Sequence, residues 1–254
     1  MSLLALRGLS RSFGGLRAVD DVGFEAGKDR ITAVIGPNGA GKTSLFNLIS
    51  GSLRPDSGTV VFDGEDITGL KPYLVARRGI SRTFQAIKLS KRMTALENVM
   101  IGRHVRSRAG FLEGMIAAPW TRGEERRVRE EAMKAVELLG IADYAGKETG
   151  SLPFGIQRSV ELARALASEP KLLLLDEPAS GLNIRETREL AELIARIRDR
   201  GISILVVEHD MSLVMDISDE IVVLNFGRKI AQGAPREIQR NAEVIEIYLG
   251  EEDE

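Results

Sequence analysis

Short aliphatic and β-branched runs recur along the chain, set apart by glycine-containing loops and amphipathic stretches. Residues 3–9 and 13–24 read as short strands joined by a turn at Gly14-Gly15. Residues 31–35 (Ile-Thr-Ala-Val-Ile) lie between charge and Gly36-Pro37 and have the continuous apolar character of a buried strand. Residues 43–49 predict a helix with Leu45, Leu48 and Ile49 on one side, and residues 59–62 a strand ended by Asp63-Gly64. Between about 86 and 158 the strand patterns vanish. Residues 124–139 there form a charged helix with the stripe Val128, Ala132, Ala135, Val136 and Leu139, stopped by Gly140. Strands and helices then alternate again: a strand at 172–175, a helix at 185–200 stopped by Gly201, and a strand at 202–207. A hairpin over 221–224 and 229–231 turns at Asn225-Phe226-Gly227, and a last helix starts near Pro235 and runs to Leu249. Apolar strands separated by helices imply an α/β fold whose parallel sheet is covered on both faces, with a mostly helical insertion.

Composition narrows the function. No strictly apolar run exceeds four residues, far short of the roughly 20 that span a bilayer. The first residues hold only a short apolar run broken by Arg7, without the core of a secretory signal. Cysteine is absent, which excludes disulfides, thiolate metal sites and a cysteine nucleophile and suits the cytoplasm. With two histidines in 254 residues, a multi-histidine metal site is nearly impossible. A net charge of −2 gives no general attraction for nucleic acid, and none is expected as a partner.

Two motifs carry chemistry. Gly36-Pro37-Asn38-Gly39-Ala40-Gly41-Lys42-Thr43 fits G-x4-G-K-[ST] and sits between a predicted strand and a predicted helix. Glycines there let backbone N–H groups turn inward around phosphate oxygens, and the helix N-terminus adds partial positive charge. Lys42 is expected to reach the β- and γ-phosphates and the Thr43 hydroxyl to bind Mg²⁺. The second motif is the apolar run 172–175 followed by Asp176-Glu177-Pro178. It delivers two carboxylates to the C-terminal edge of the sheet, where ligands of parallel sheets bind. Asp176 is the expected Mg²⁺ partner, acting through the ion's outer shell, and Glu177 is free to polarise a water for attack on the γ-phosphate.

Further elements, in order, resemble those of ATP-binding cassette (ABC) ATPases. Gln85 in Thr83-Phe84-Gln85 is similar to the Q-loop glutamine, and Leu152-Pro153-Phe154-Gly155-Ile156-Gln157-Arg158 to the signature, usually LSGGQQR. Ser180-Gly181-Leu182-Asn183 resembles the D-loop, His209 the switch histidine, and Phe13 the aromatic that stacks on adenine. The resemblance spans nearly the whole chain. It implies a P-loop NTPase (RecA-like) core with a mixed sheet over about 1–85 and 160–254, an antiparallel β-subdomain, and an inserted α-helical signature subdomain over about 86–159. It also implies ATP and Mg²⁺ as cofactors. Catalysis would fall to Glu177, His209, Gln85 and Lys42, and Mg²⁺ to Thr43, Gln85 and Asp176. The nucleotide would be held by Phe13, Gly36, Asn38, Gly39, Ala40, Gly41, Lys42, Thr43 and Ser44, with Gly155 acting in trans. Pro153 and Ile156 depart from the usual signature; Pro153 has no hydroxyl to offer, which leaves the Gly155 N–H and the following helix N-terminus.

Phosphate loop and signature face each other across a head-to-tail dimer in this family. The resemblance therefore implies half of a two-site ATPase, a homodimer or a heterodimer with a related ATPase. Partners would be two integral membrane permease subunits and, indirectly, an extracytoplasmic solute-binding protein, with the chain peripheral on the cytoplasmic face of the inner membrane. Local features are similar to the ATP-binding subunits of branched-chain amino acid importers: Arg82-Thr83-Phe84-Gln85 ahead of Leu96-Glu97-Asn98-Val99-Met100, a lengthened segment at about 103–123, the Phe154-Gly155 pair, Asn183, and Glu208-His209-Asp210-Met211. Lipopolysaccharide-export cassettes share part of this set. Residues 67–112 hold ten Lys/Arg and one acid, Glu97, either a solvated face or a surface toward membrane subunits and anionic lipid. Phe111, Leu112, Met115, Ile116 and Trp120 are apolar candidates for the same contact.

Overall fold

The computed structural model describes residues 2–105 and 121–249. The expectations for Phe111, Leu112, Met115, Ile116 and Trp120 lie outside the described residues.

Strand β1 (Ser2–Phe13) and strand β2 (Leu16–Gly27) form a long hairpin about Gly14-Gly15, in which Phe13 pairs with Leu16. The turn is where the pattern placed it, but β1 continues to Phe13, so that ring closes the first strand instead of opening the second. Strand β3 (Ile31–Ile35) leads through a loop into helix α1 (Lys42–Ile49). Strands β4 (Ser57–Phe62) and β5 (Glu65–Asp66) complete an antiparallel sheet of order β2-β1-β4-β5.

Helix α2 (Pro72–Arg78) and strand β6 (Ile80–Arg82) follow. The hydrophobic pattern did not reveal either. Proline at the start of α2 and Gly79 (φ 105) at its end punctuate the helix, whereas β6 is three residues long, too short to show a period. Helices α3 (Ala95–Gly102), α4 (Thr121–Leu138) and α5 (Phe154–Leu166) make up the helical part, and α5 runs unbroken past position 160. Buried Asn98 fastens the segment before α3: its side-chain N–H groups donate to the carbonyls of Ser90 and Thr94, and its Oδ1 accepts the Ser90 N–H.

Strand β7 (Leu172–Asp176), helix α6 (Ile184–Arg198), strand β8 (Ser203–Val207), helix α7 (Met211–Ile217), strand β9 (Glu220–Asn225) and strand β10 (Arg228–Gly233) complete the core. The larger sheet has the order β10-β9-β3-β8-β7-β6 and is parallel except for β10. The single expected C-terminal helix is two, α8 (Pro235–Ile238) and α9 (Ala242–Leu249). Asn241 is the reason: its Oδ1 accepts the Val244 N–H and starts a new helix there.

Alternation along the central strands explains both layers. Ile31, Ala33, Ile35, Leu173, Leu175, Ile204 and Val206 join the cluster beneath the helical side. Val34, Leu172, Leu174, Leu205 and Val207 point the other way, against Leu45 and Phe46 of α1 and Phe62, Val22 and Leu4 of the antiparallel sheet. Each large side chain buried in these layers contributes about 1.5–3 kcal/mol, so the two faces hold the strand ends in a fixed register at the C-terminal edge.

Candidate active site at the carboxyl edge of the sheet

The loop after β3 is shaped by backbone that side chains would obstruct. Gly41, the N-cap of α1, has φ 99, and a Cβ there would lie 2.2 Å from the Ala18 carbonyl oxygen. Gly36 likewise presses on the Leu224 carbonyl, where a Cβ would come within 2.1 Å. The loop is thus clamped between β2 and the β9–β10 turn, and Gly227 donates its N–H to the Ala40 carbonyl at 3.0 Å. No side chain caps α1, so its first N–H groups face the loop. Lys42 folds over the loop, its Nζ donating to the carbonyls of Gly36 (2.5 Å) and Pro37 (2.8 Å).

A cleft of about 360 Å³ opens above this loop. Phe13, Asn38, Gly39, Ala40, Gly41, Lys42, Thr43, Ser44 and Glu177 all line it, so residues far apart in sequence meet on one wall. Phe226 lines it too, 84% exposed and with a positive φ of 44. Nothing in the periodicity pointed to it beyond its place in a turn.

The two carboxylates after β7 diverge. Asp176 is buried and its Oδ2 accepts from Arg82 Nη2 at 2.7 Å. Glu177 takes a φ of 47, a strained backbone for a non-glycine residue, and sits half-buried on the cleft wall. Its Oε2 accepts from Gln85 Nε2 at 2.6 Å, which brings the glutamine of 83–85 to the same strand edge.

His209 stands at the end of β8 with its side chain 65% exposed, and it is not part of the cleft wall. Beneath it is Glu208, 1% exposed, whose Oε1 accepts the Ala179 N–H at 2.7 Å and whose Oε2 accepts the His209 N–H at 3.0 Å. This carboxylate ties the loop after Glu177 to the loop that carries His209. Sequence reasoning passed over it because its neighbour held the motif; its place after a buried strand was the available signal.

A model of the ABC transporter family matches residues 19–180. The chain belongs to the ABC transporter family. A second model, described as branched-chain amino acid ATP-binding cassette transporter, matches residues 228–254. The high-affinity branched-chain amino acid transport ATP-binding protein BraF of Pseudomonas aeruginosa is 43% identical over 98% of each chain. Its Escherichia coli counterpart LivG is 42% identical over the same share. Among solved structures, the ADP conformation of an ATP-binding cassette of an ABC transporter superposes with a TM-score of 0.86 at 33% identity, covering 98% of this chain and 99% of that one. The α/β core with a mixed sheet and a separate antiparallel sheet is therefore that of an ABC cassette, an ATP-binding and ATP-hydrolysing subunit.

The rest of the cassette's motif residues lie away from the cleft. Gly155 lines a separate groove of about 650 Å³ between α5 and α6, together with Pro153 and Asn183. Pro153 is the N-cap of α5 and makes no side-chain capping bond. Arg158, the last residue of the signature, is buried and reaches three backbone carbonyls: Phe84 (3.2 Å), Gln85 (3.2 Å) and Ser180 (3.3 Å). Its partner Glu161 has its carboxyl pushed above the usual range by burial, against the opposing pull of Arg158 and Arg164. One guanidinium therefore stitches the signature helix to the segments that carry Gln85 and the D-loop. Among the described residues no helix is long and apolar enough to cross a membrane.

Proposed function

We propose that this cassette hydrolyses Mg-ATP to power uptake of branched-chain or related amino acids through partner membrane subunits. The observation that carries the chemistry is the shared wall of Phe13, the 38–44 loop and Glu177, with Gln85 hydrogen-bonded to Glu177. The amino acid class rests on the full-length likeness to BraF and LivG and on the match at 228–254.

In this reading Phe13 stacks on the base. The backbone of Gly36, Asn38, Gly39, Ala40, Gly41, Lys42, Thr43 and Ser44 cradles the phosphates, and the Lys42 ammonium offsets their charge. The oxygen donors of Thr43, Asp176 and Gln85 suit Mg²⁺, a hard cation that is commonly held by one or two carboxylates and phosphate oxygens. Bound there, Mg²⁺ supplies charge neutralisation at the β- and γ-phosphates. Glu177 accepts a hydrogen bond from the attacking water and orients it, with Gln85 fixing the carboxylate. His209 contributes a hydrogen bond at the γ-phosphate once its loop closes.

Gly155 lines a groove that none of the phosphate-loop residues line, which supports a head-to-tail pair in which it serves the partner's nucleotide through its N–H and the α5 N-terminus. That pair is a homodimer or a heterodimer with a related cassette, peripheral on the cytoplasmic face of the membrane and docked on two permease subunits. An extracytoplasmic solute-binding protein delivers the amino acid. The helical subdomain comprises α3, α4 and α5, which ends at Leu166, and the nucleotide-binding core the elements on either side.

Glu177→Gln tests the assignment. The amide keeps the shape and loses the negative charge, so turnover should fall about 10²–10⁴-fold while ATP stays bound and the dimer persists on a sizing column. Hydrolysis at the parent rate would remove Glu177 from its role. Import of labelled leucine by vesicles holding the cassette with its membrane partners tests the solute class.

A further inference from the structure

Arg82 lies on β6, three residues before Gln85, and its guanidinium is almost wholly enclosed. The side chains of Arg82 and Asp176 are 8% and 7% exposed. Nη2 donates to Asp176 Oδ2 at 2.7 Å, while Nη1 donates to Asn47 Oδ1 at 2.7 Å and to Ser50 Oγ at 3.1 Å. Asn47 belongs to α1 and Ser50 caps its end, so the fork joins the tip of β7 to the helix that opens with Lys42 and Thr43. The rings of Phe46 and Phe84 lie 5.7 and 5.3 Å from the guanidinium carbon and limit its rotation.

Two features of this arrangement bear on the metal. Arg82 takes up one oxygen of Asp176, Oδ2, and makes no bond to Oδ1. A carboxylate gripped at one oxygen, by a planar donor itself fixed at its other end, presents the second oxygen in one orientation. The next residue, Glu177, is held by Gln85 from the same short segment. The stretch 82–85 therefore grips both carboxylates at the tip of β7, one with each end, and Thr83 pins the stretch by donating its N–H to the Leu174 carbonyl at 3.0 Å.

We propose that Arg82 is a positioning residue that aims Asp176 at the magnesium site and makes Mg²⁺ affinity depend on the placement of residues 82–85. The inference rests on the reading of Asp176 as a Mg²⁺ residue. A neutral side chain at 82 frees the carboxylate to turn, and the site then needs more Mg²⁺ for the same gain in nucleotide binding. Removing a partner that orients a metal-binding group typically costs 10–100-fold in metal affinity. Lysine keeps the charge but cannot reach Asn47 and Asp176 together, so its effect is smaller.

The test titrates Mg²⁺ into the full chain with a fluorescent, non-hydrolysable ATP analogue, in parent, Arg82→Lys, Arg82→Gln and Asp176→Ala proteins. Thermal melting followed by circular dichroism checks that each is folded; Arg82→Lys, which retains the buried ion pair, carries the test if Arg82→Gln does not fold. The expected result is a Mg²⁺ midpoint raised roughly tenfold or more in Arg82→Gln and less in Arg82→Lys, with affinity in EDTA equal to the parent's. A parent-like midpoint in both Arg82 variants, or an equal loss with and without Mg²⁺, overturns the role of Arg82. If Asp176→Ala also leaves the midpoint unchanged, the assignment of Asp176 itself falls.

Discussion

Glu208→Gln is the substitution that most directly tests how the catalytic edge is held together. The side chain is 1% exposed and its two oxygens serve two loops: Oε1 accepts the Ala179 N–H at 2.7 Å, and Oε2 accepts the His209 N–H at 3.0 Å and the Asp210 N–H at 3.4 Å. Glutamine has the same shape but presents an amide donor in place of one oxygen. One of the two loops then faces N–H against N–H. A hydrogen bond to a charged group contributes about 1.5–3 kcal/mol, and a buried donor left unpaired costs about 1–3 kcal/mol. The retained bond also weakens, because it no longer meets a charge. A total near 3 kcal/mol is expected, which for a chain of this size lowers Tm by roughly 6–12 °C. Glu208→Ala orphans the N–H groups of both loops and leaves a cavity, so it should melt lower still. Because Ala179 follows the Glu177 turn and the other loop carries His209, turnover should fall about tenfold or more while nucleotide affinity stays close to the parent's; a tenfold loss corresponds to about 1.4 kcal/mol at the transition state. Thermal melting by circular dichroism and steady-state phosphate release, resolved into kcat and KM, supply the readouts. The reasoning is wrong if Glu208→Gln melts with the parent, or if Glu208→Ala is no worse than Glu208→Gln.

Two other outcomes follow from the same geometry. Gly41→Ala places a Cβ 2.2 Å from the Ala18 carbonyl oxygen at a φ of 99; it should cost at least about 2 kcal/mol of stability and abolish nucleotide binding by calorimetry, and parent-like binding would show that the loop has room to relax. Asp20 accepts from Arg17 Nη1 at 2.8 Å and Arg228 Nε at 2.7 Å, and Arg228 foremost, with Arg17, holds its carboxyl below the usual range. A lowered folded pKa gives stability that is present above the ordinary aspartate range and is lost as pH falls through the folded value. Asp20→Asn should therefore melt below the parent at neutral pH, with the gap closing in acid; a gap that persists unchanged at low pH would assign it to something other than the ion pairs.

Much of the core was legible because its signals are local. The continuous apolar strands at 31–35, 172–175 and 202–207 have that character because both faces of a parallel sheet are buried. The loop from Gly36 to Thr43 takes positive φ at Gly36, Gly39 and Gly41, a local demand that glycine meets, and its motif spacing between a strand and a helix could be inferred without coordinates. Shorter or punctuated elements escaped. Strand β6 is three residues long, and the break that divides α8 from α9 depends on one asparagine turning back to cap its own chain. The C-terminal pattern carries the same apolar positions whether or not that cap forms.

By itself, the order of residues along the chain determined which groups exist to do chemistry: the glycine loop with Lys42 and Thr43, the carboxylates Asp176 and Glu177, the glutamine at 85 and the histidine at 209. What only the tertiary structure decided is how those groups are held. Arg82 reads as one more member of a basic stretch, yet it is enclosed between two aromatic rings and forked between α1 and Asp176. Glu208 reads as the neighbour of a motif residue, and Arg158 as the tail of one, yet each bridges loops that lie far apart in sequence. The physical reason is that the worth of a charge depends on its burial and its partners, and both are set by contacts between distant segments that no local pattern records.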